Sequence, residues 1–240
     1  MSKVKVGIFT DPHTSLDVVS GQTRRPSLSI GKIKRIMDIF KAEGVGQVLC
    51  LGDTADGCGG VEQAAEMVKI VMDLMRSYCI PVHAIIGNHD CDNFPKEKFC
   101  EIAQVAPSPS KMRVGNALFV FLDANFYDDG SAYEPGHAWW TNTYMPQDQF
   151  DFYADAWQNT DAEEVYVFLH ENLDTNITNQ KYWIKNAEQV RAALAECPKL
   201  RGVYQGHYHK GITSVFDGVP YITIPATCEG ENMPYIILEV

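Results

Sequence analysis

Four apolar runs rich in Val, Ile, Leu and Phe each stop at a polar cluster, and this repeated ending constrains the fold more than any other feature. The runs are "VKVGIFT" before Asp11, "QVLCL" before Gly52, "VHAII" before Gly87 and "VYVFL" before His170. Short runs of this kind, bounded by turn-forming residues, read as buried strands. Long segments with helical spacing separate the first three. Residues 28–43 place Ile30, Ile33, Ile36 or Met37 and Phe40 on one face, and residues 61–79 do the same with Ala64, Ala65, Val68, Val71, Met72 and Met75. Strand, helix, strand, helix, strand points to α/β layering. The later half reads differently. Residues 110–123 form a hairpin turning near Gly115 and Asn116, and residues 201–240 give short strands with turns at Gly218 and near Glu229-Gly230-Glu231. A second or mixed sheet follows, with helices at about 147–159 and 186–196.

No linker, repeat or low-complexity tract divides residues 1–240, so one unit is expected. The acidic excess, a formal net charge of −11, argues against a surface that tracks nucleic-acid phosphates. It suits divalent cations. Seven cysteines, Cys50, Cys58, Cys79, Cys91, Cys100, Cys197 and Cys228, form no C-x-x-C pair, which fits a reducing compartment such as the cytoplasm. No stretch has the character of a signal peptide or membrane span. The segment 124–146, "ANFYDDGSAYEPGHAWWTNTYMP", has no period but many rings, and reads either as an ordered surface loop packed by its own rings or as a cap facing a substrate pocket, the reading favoured here.

Asp11 and His13, Asp53, Asn88, His89 and Asp90, His170, and His207 and His209 all lie at ends of apolar runs. Strand ends at one edge of an α/β sheet converge, and ligands bind there. Asp11 and His13 are two apart, so an extended chain points both to one side, and the same holds for His207 and His209. Carboxylate, amide and imidazole donors without thiolate suit Mn²⁺, Fe²⁺/Fe³⁺ or Zn²⁺. Asp11, His13, Asp53, Asn88, His170, His207 and His209 are too many ligands for one ion, and Asp53 is placed to bridge two. Outside these motifs, His83 and His137 read as ordinary hydrogen-bonded or solvent-facing residues.

The ordered set "DPH" at 11–13, "GDTAD" at 52–56, "GNHD" at 87–90, His170 and "GHYH" at 206–209 resembles the calcineurin-like metallophosphoesterases. Any one of these motifs is weak; five in order across most of the chain are specific. The resemblance implies an αββα sandwich of four layers, with two mixed sheets flanked by helices. It implies one metal held by Asp11, His13, Asp53 and His209, and another by Asp53, Asn88, His170 and His207. His89 would face the phosphate and leaving group, with Asp90 and Asp56 orienting it or the ligands. Where many relatives follow the lone His with His or Pro, this chain reads "HENLD", a departure beside the leaving-group pocket.

The expected activity is hydrolysis of a phosphodiester or pyrophosphate-type small molecule, such as a nucleotide, through a hydroxide bridging the two metals. A phosphomonoesterase, including a phosphoprotein phosphatase, is the enzymatic alternative, and a non-catalytic scaffold on the same fold is the alternative of another class. Arg24 and Arg25, in the loop after the first motif, are candidates to pair with substrate phosphate. Asn125, Trp139 and Trp140 are candidates from the cap, and its rings would stack on a base.

Overall fold

The structure, a computed structural model, describes residues 3–17, 20–57 and 59–240; Cys58 lies outside them. The N-terminal half alternates as the apolar runs require. Strand β1 (Lys5–Phe9) leads to helix α1 (Pro26–Ala42), then β2 (Gln47–Cys50), α2 (Val61–Arg76) and β3 (Val82–Ala84). The three strands are parallel. Pro26 starts α1, where its fixed φ and missing N–H cost nothing. Two short helices that the apolar pattern does not predict follow β3: α3 (Asn88–Asn93) and α4 (Lys96–Ala103).

The hairpin of β4 (Ser110–Val114) and β5 (Ala117–Phe121) then opens a second sheet. It continues through α5 (Gln147–Gln158), β6 (Glu164–Phe168), α6 (Ala187–Ala195), β7 (Leu200–Gln205), β8 (Ile212–Phe216) and β9 (Val219–Thr223). Its order is β4-β5-β6-β7-β9-β8, with β5, β6, β7 and β9 parallel. The last strand, β10 (Ile236–Glu239), does not join it. It returns antiparallel to β1 and makes the first sheet β10-β1-β2-β3. Both sheets are therefore mixed.

Alternation along the strands sorts the apolar side chains into three layers. Ile33, Ile36, Met37 and Phe40 of α1 and Val68, Val71, Met72 and Met75 of α2 pack on the outer face of the first sheet. Tyr153 of α5 and Val190 and Leu194 of α6 pack with Leu118, Val120, Val165 and Val167 outside the second. Between the sheets lie Val6, Ile8, Leu49, Phe119, Phe121 and Phe168. Each such side chain contributes roughly 1.5–3 kcal/mol when fully buried. The result is helices, sheet, sheet and helices in four layers. The carboxyl ends of β1, β2, β3, β6, β7 and β9 all open on one edge.

Candidate metal centre

The polar residues predicted at the strand ends meet at that edge. Asp53 is central: its Oδ2 lies 3.3 Å from His13 Nε2 and 3.3 Å from His170 Nε2. On the His13 side, His13 Nε2 is 3.2 Å from His209 Nε2, and Asp11 Oδ1 is 3.5 Å from His209 Nε2. On the other side, His207 Nδ1 is 2.9 Å from Asn88 Oδ1. Asp53, His170 and His207 offer ligand atoms within 4.8 Å of one another, as do His13, Asp53 and His89. Three further donors thus gather on each side of the Asp53 carboxylate.

The remaining atoms of these side chains are tied back. Asp11 Oδ2 accepts from Thr10 Oγ1 and the His207 amide, and Asp53 Oδ1 accepts from the His89 amide. His170 Nδ1 donates to the Leu51 carbonyl at 2.7 Å, which fixes its tautomer and leaves Nε2 inward. His13 Nδ1 faces Asp56 Oδ1 at 3.1 Å, and His209 Nδ1 faces Glu229 Oε1 at 2.7 Å. Such partners orient a ligating ring and raise its basicity. Glycines make the crowding possible. A Cβ at Gly87 would lie 2.2 Å from Asp53 Oδ1, and one at Gly206 would lie 2.3 Å from Thr10 Oγ1.

Two buried atoms test whether these residues fit a cation. Asp11 Oδ1 and His170 Nε2 have no hydrogen-bond partner, although both side chains are fully buried and aim inward. Leaving such groups without a hydrogen bond is costly, and bound cations would satisfy both. The electrostatics agree. Burial raises the pKa of Asp11 and Asp53, but the surrounding histidines, His170 foremost, outweigh it and hold both carboxyls well below their usual range. Burial lowers His13 and His209, but Asp53 and Asp11 around the first, and Asp11 and Glu229 around the second, push each up to about 9. The carboxylates at this edge stabilise positive charge.

Several expectations change in detail. Asp11 and His13 do not share a side by extended alternation, since both have positive φ, 50° and 42°, in a tight turn. Asn88 and His89 are not extended either; they open α3, where successive side chains diverge by about 100°. Asp90 does not touch the His89 ring. Its carboxylate accepts from the amides of Thr54, Ala55 and Gly87, tying the Asp53 turn to the Asn88 turn. The carboxylate that faces the His89 ring is Asp56, with Oδ1 at 3.5 Å from His89 Nδ1. Burial carries His89 down to about 4, so its ring is neutral at pH 7.

Arg24 reaches the site. Its Nη1 donates to Asp56 Oδ1 at 2.6 Å and lies 3.5 Å from His89 Nε2. Arg25 turns away and donates to the Arg24 carbonyl. Asn125 is fully buried, donates to Asp123 and lines no part of the cavity over the site. Trp140 lines that cavity, whereas Trp139 is 61% exposed and borders a separate, smaller depression with Tyr127. Within 124–146 only Ala138 and Trp140 face the main cavity, and much of the rest packs inward, Tyr133 on the first helical layer and Ala124 and Met145 on the second.

The cavity measures about 1210 Å³ and brings in residues to which the motifs assign no role: Tyr182, Tyr208, Lys210, Glu229 and Met233. Only the place of Tyr208 and Lys210 beside "GHYH" signals them in the sequence. Cys228 also lies here, its Sγ 4.0 Å from His209 Nδ1, and burial pushes its thiol up to about 12, so it packs as a neutral group.

With this geometry in hand, comparison with known proteins is decisive. The chain matches the family model for calcineurin-like phosphoesterases over residues 4–211. It belongs to that family. A relative from Fibrobacter succinogenes, described as a probable cyclic nucleotide phosphodiesterase, is 24% identical over 234 residues, 93% of this chain and 80% of the relative. Among solved structures, a dimetal phosphatase from Danio rerio superposes with a TM-score of 0.84 at 18% identity, covering 99% of this chain and 92% of that one. A purple acid phosphatase from yellow lupin gives a TM-score of 0.62 at 12% identity, covering 100% of this chain and 48% of that one. These likenesses bear on the fold. Among the described residues of this calcineurin-like phosphoesterase, no helix is long and apolar enough to cross a membrane.

Proposed function

We propose that this chain hydrolyses a small phosphodiester or pyrophosphate at a centre of two metal ions. The observation that carries the reading is Asp53 Oδ2, equidistant at 3.3 Å from imidazole nitrogens of two separate donor sets. Asp11, His13, Asp53 and His209 would hold one ion, and Asp53, Asn88, His170 and His207 the other. The donor set suits Mn²⁺, Fe or Zn²⁺. Bound there, two such ions supply charge neutralisation at phosphoryl oxygens and activation of water for attack.

The chain's own residues do the rest. Asp56 and Glu229 hold His13 and His209 in one ring orientation. Arg24, anchored on Asp56, presents its guanidinium beside His89 at the cavity wall, where a phosphoryl oxygen would accept from both. The negative charge of a bound phosphate would raise the His89 pKa, so the ring takes up a proton from solvent and passes it to the leaving oxygen, returning to its neutral form. Ala138 and Trp140 are the part of the 124–146 cap that meets substrate. The seven cysteines without a C-x-x-C pair support a reducing, cytoplasmic setting.

A screen of mono-, di- and pyrophosphate esters with added Mn²⁺, Fe²⁺ or Zn²⁺ tests the proposal. Metal-dependent turnover favouring diesters or pyrophosphates is expected. A preference for monoesters would replace the substrate class, and no turnover by the metal-loaded chain would remove the hydrolase reading.

A further inference from the structure

The cavity is polar on one side and aromatic on the other, and that division bears on what the phosphate is attached to. Three rings from distant segments come together on the wall beside His207. Trp140 comes from a short 3-10 turn at Trp140–Asn142, Tyr182 from another at Gln180–Tyr182, and Tyr208 from the turn between His207 and His209. The Trp140 and Tyr182 centroids are 5.5 Å apart, and those of Tyr182 and Tyr208 are 5.1 Å apart. Trp140 and Tyr182 also approach the His207 ring, at 5.7 and 6.0 Å. The three rings are half-buried, and each lines the cavity.

Their positions are fixed by backbone hydrogen bonds rather than left to a mobile loop. The Lys185 amide donates to the Thr143 carbonyl at 3.0 Å, and the Asn186 amide group bonds the Met145 backbone in both directions. This stitches the Trp140 turn to the segment after Tyr182. Elsewhere around the same cavity lie Met233 and Pro234, apolar and half-buried. Lys210 lines the cavity next to Tyr208, and Arg24 stands beside His13 and His89. These two cations share the cavity with Asp53, Asp92 and Glu229, and Arg24 is held by Asp56 at 2.6 Å.

We infer that Trp140, Tyr182 and Tyr208 form a subsite for a planar heteroaromatic ring, a nucleobase, carried on one arm of the phosphate substrate. The inference rests on the phosphoesterase reading for what lies next to the ring, but not for the ring itself. Flat, rigid side chains with little rotamer freedom stack on any base, because every base has a π face. Met233, which lines the same cavity, offers a polarizable thioether that suits the same ligand. The rings adjoin His207, so a base there would leave its phosphate over the donors of the second metal set, with the sugar spanning the gap.

Two ligands that differ only in the ring provide the test. Equilibrium binding of AMP and of ribose 5-phosphate is measured on the full-length, Mn²⁺-loaded chain. AMP is expected to bind at least about tenfold more tightly. Trp140→Ala and Tyr182→Ala should each reduce that advantage by about 5- to 150-fold, down to the ring-free level at most, and leave ribose 5-phosphate unchanged. Trp140→Phe should keep most of it, which separates stacking from collapse of the turn. Trp139→Ala, in the other depression, should change nothing. Equal affinities for the two ligands, or an AMP advantage that survives both alanine variants, overturns the subsite. Ester turnover without a ring effect leaves the hydrolase reading standing alone. A ring effect without ester turnover leaves the subsite standing alone.

Discussion

His83, half-buried against the second sheet, and His13, fully buried at the edge where the two sheets meet, are driven in opposite directions. His83, on β3, pairs in register with Leu49 and packs its ring 4.3 Å from Phe121 of the second sheet. Burial is its only perturbation, and it falls to about 4. His13, just beyond β1, meets the carboxylates of Asp53, Asp11 and Asp56 and rises to about 9 despite deeper burial. The interface between the sheets is therefore apolar by default. It becomes a cation site only where the chain leaves the strands and turns carboxylates back across the edge. The division of labour is also uneven. The first sheet's loops supply Asp11, His13, Asp53 and Asn88, and the second sheet's supply His170, His207 and His209. The site is a property of the junction, and neither sheet carries it alone.

The strongest way to break this contrast is to neutralise the shared carboxylate. Asp53→Asn keeps shape and volume but removes the charge on which both halves turn. Phosphoester turnover should fall by more than about 10³-fold. Elemental analysis of the protein after Mn²⁺ loading should show fewer than two ions per chain. Two ions retained by this variant would show that Asp53 does not bridge.

His89 comes next, because it borders the donors while its ring stands to one side. His89→Ala should lower kcat by about 10²–10³-fold with metal content unchanged. The loss should be larger for alkyl esters, whose leaving oxygen needs a proton, than for nitrophenyl esters. Equal losses on both would leave electrostatic stabilisation of the phosphoryl oxygens as its role.

The apolar side of the contrast gives a pH effect. His83 titrates near 6.5 when unfolded and near 4 when folded, so acid protonates the unfolded chain first. Its contribution is complete above about 6.5 and is lost as pH falls through about 4, amounting to at most about 3 kcal/mol. Urea unfolding of wild type and His83→Phe at pH 7 and pH 4.5 isolates it: the variant should lose less stability between the two. A parallel loss in both proteins would mean that the ring is hydrated.

The smallest effect belongs to Glu229, which holds His209 from the outer side. Glu229→Ala should weaken Mn²⁺ binding by about tenfold, read by direct titration, while secondary structure is kept. Unchanged affinity would make the 2.7 Å contact incidental.

The apolar runs fixed most of this architecture because strand burial and helical spacing are local signals. Val6 and Ile8 face one way and Phe9 the other, as alternation requires. The candidate ligand positions were legible for the same reason, since a strand end is visible where apolar residues stop. The backbone at those ends was not. Asp11 and His13 reach the same side by curling, and no pattern of polar residues distinguishes a curl from an extension. The helix at Asn88 escaped because six residues carry too little periodicity. The pairing of β10 with β1, and the arrival of Glu229, Tyr182 and Met233 at the cavity, depend on contacts between distant segments, which leave no period in the sequence. Arg24 and Arg25 were equivalent by position, and only the turn itself sends one inward.

Asp11, His13, Asp53 and His207 all adopt positive φ, at 50°, 42°, 50° and 64°. Few side chains accept that conformation; most L residues meet a penalty of about 1–2 kcal/mol there, while Gly, Asn, Asp and His are tolerated. Backbone and chemistry thus draw on the same short alphabet at these positions. A saturation library at Asp11 or Asp53 should return Asn and Gly as the folded survivors, and neither carries charge. Silencing the protein without unfolding it is therefore easy. Such chains, folded and inert, are natural controls that separate what the metal centre does from what the scaffold does.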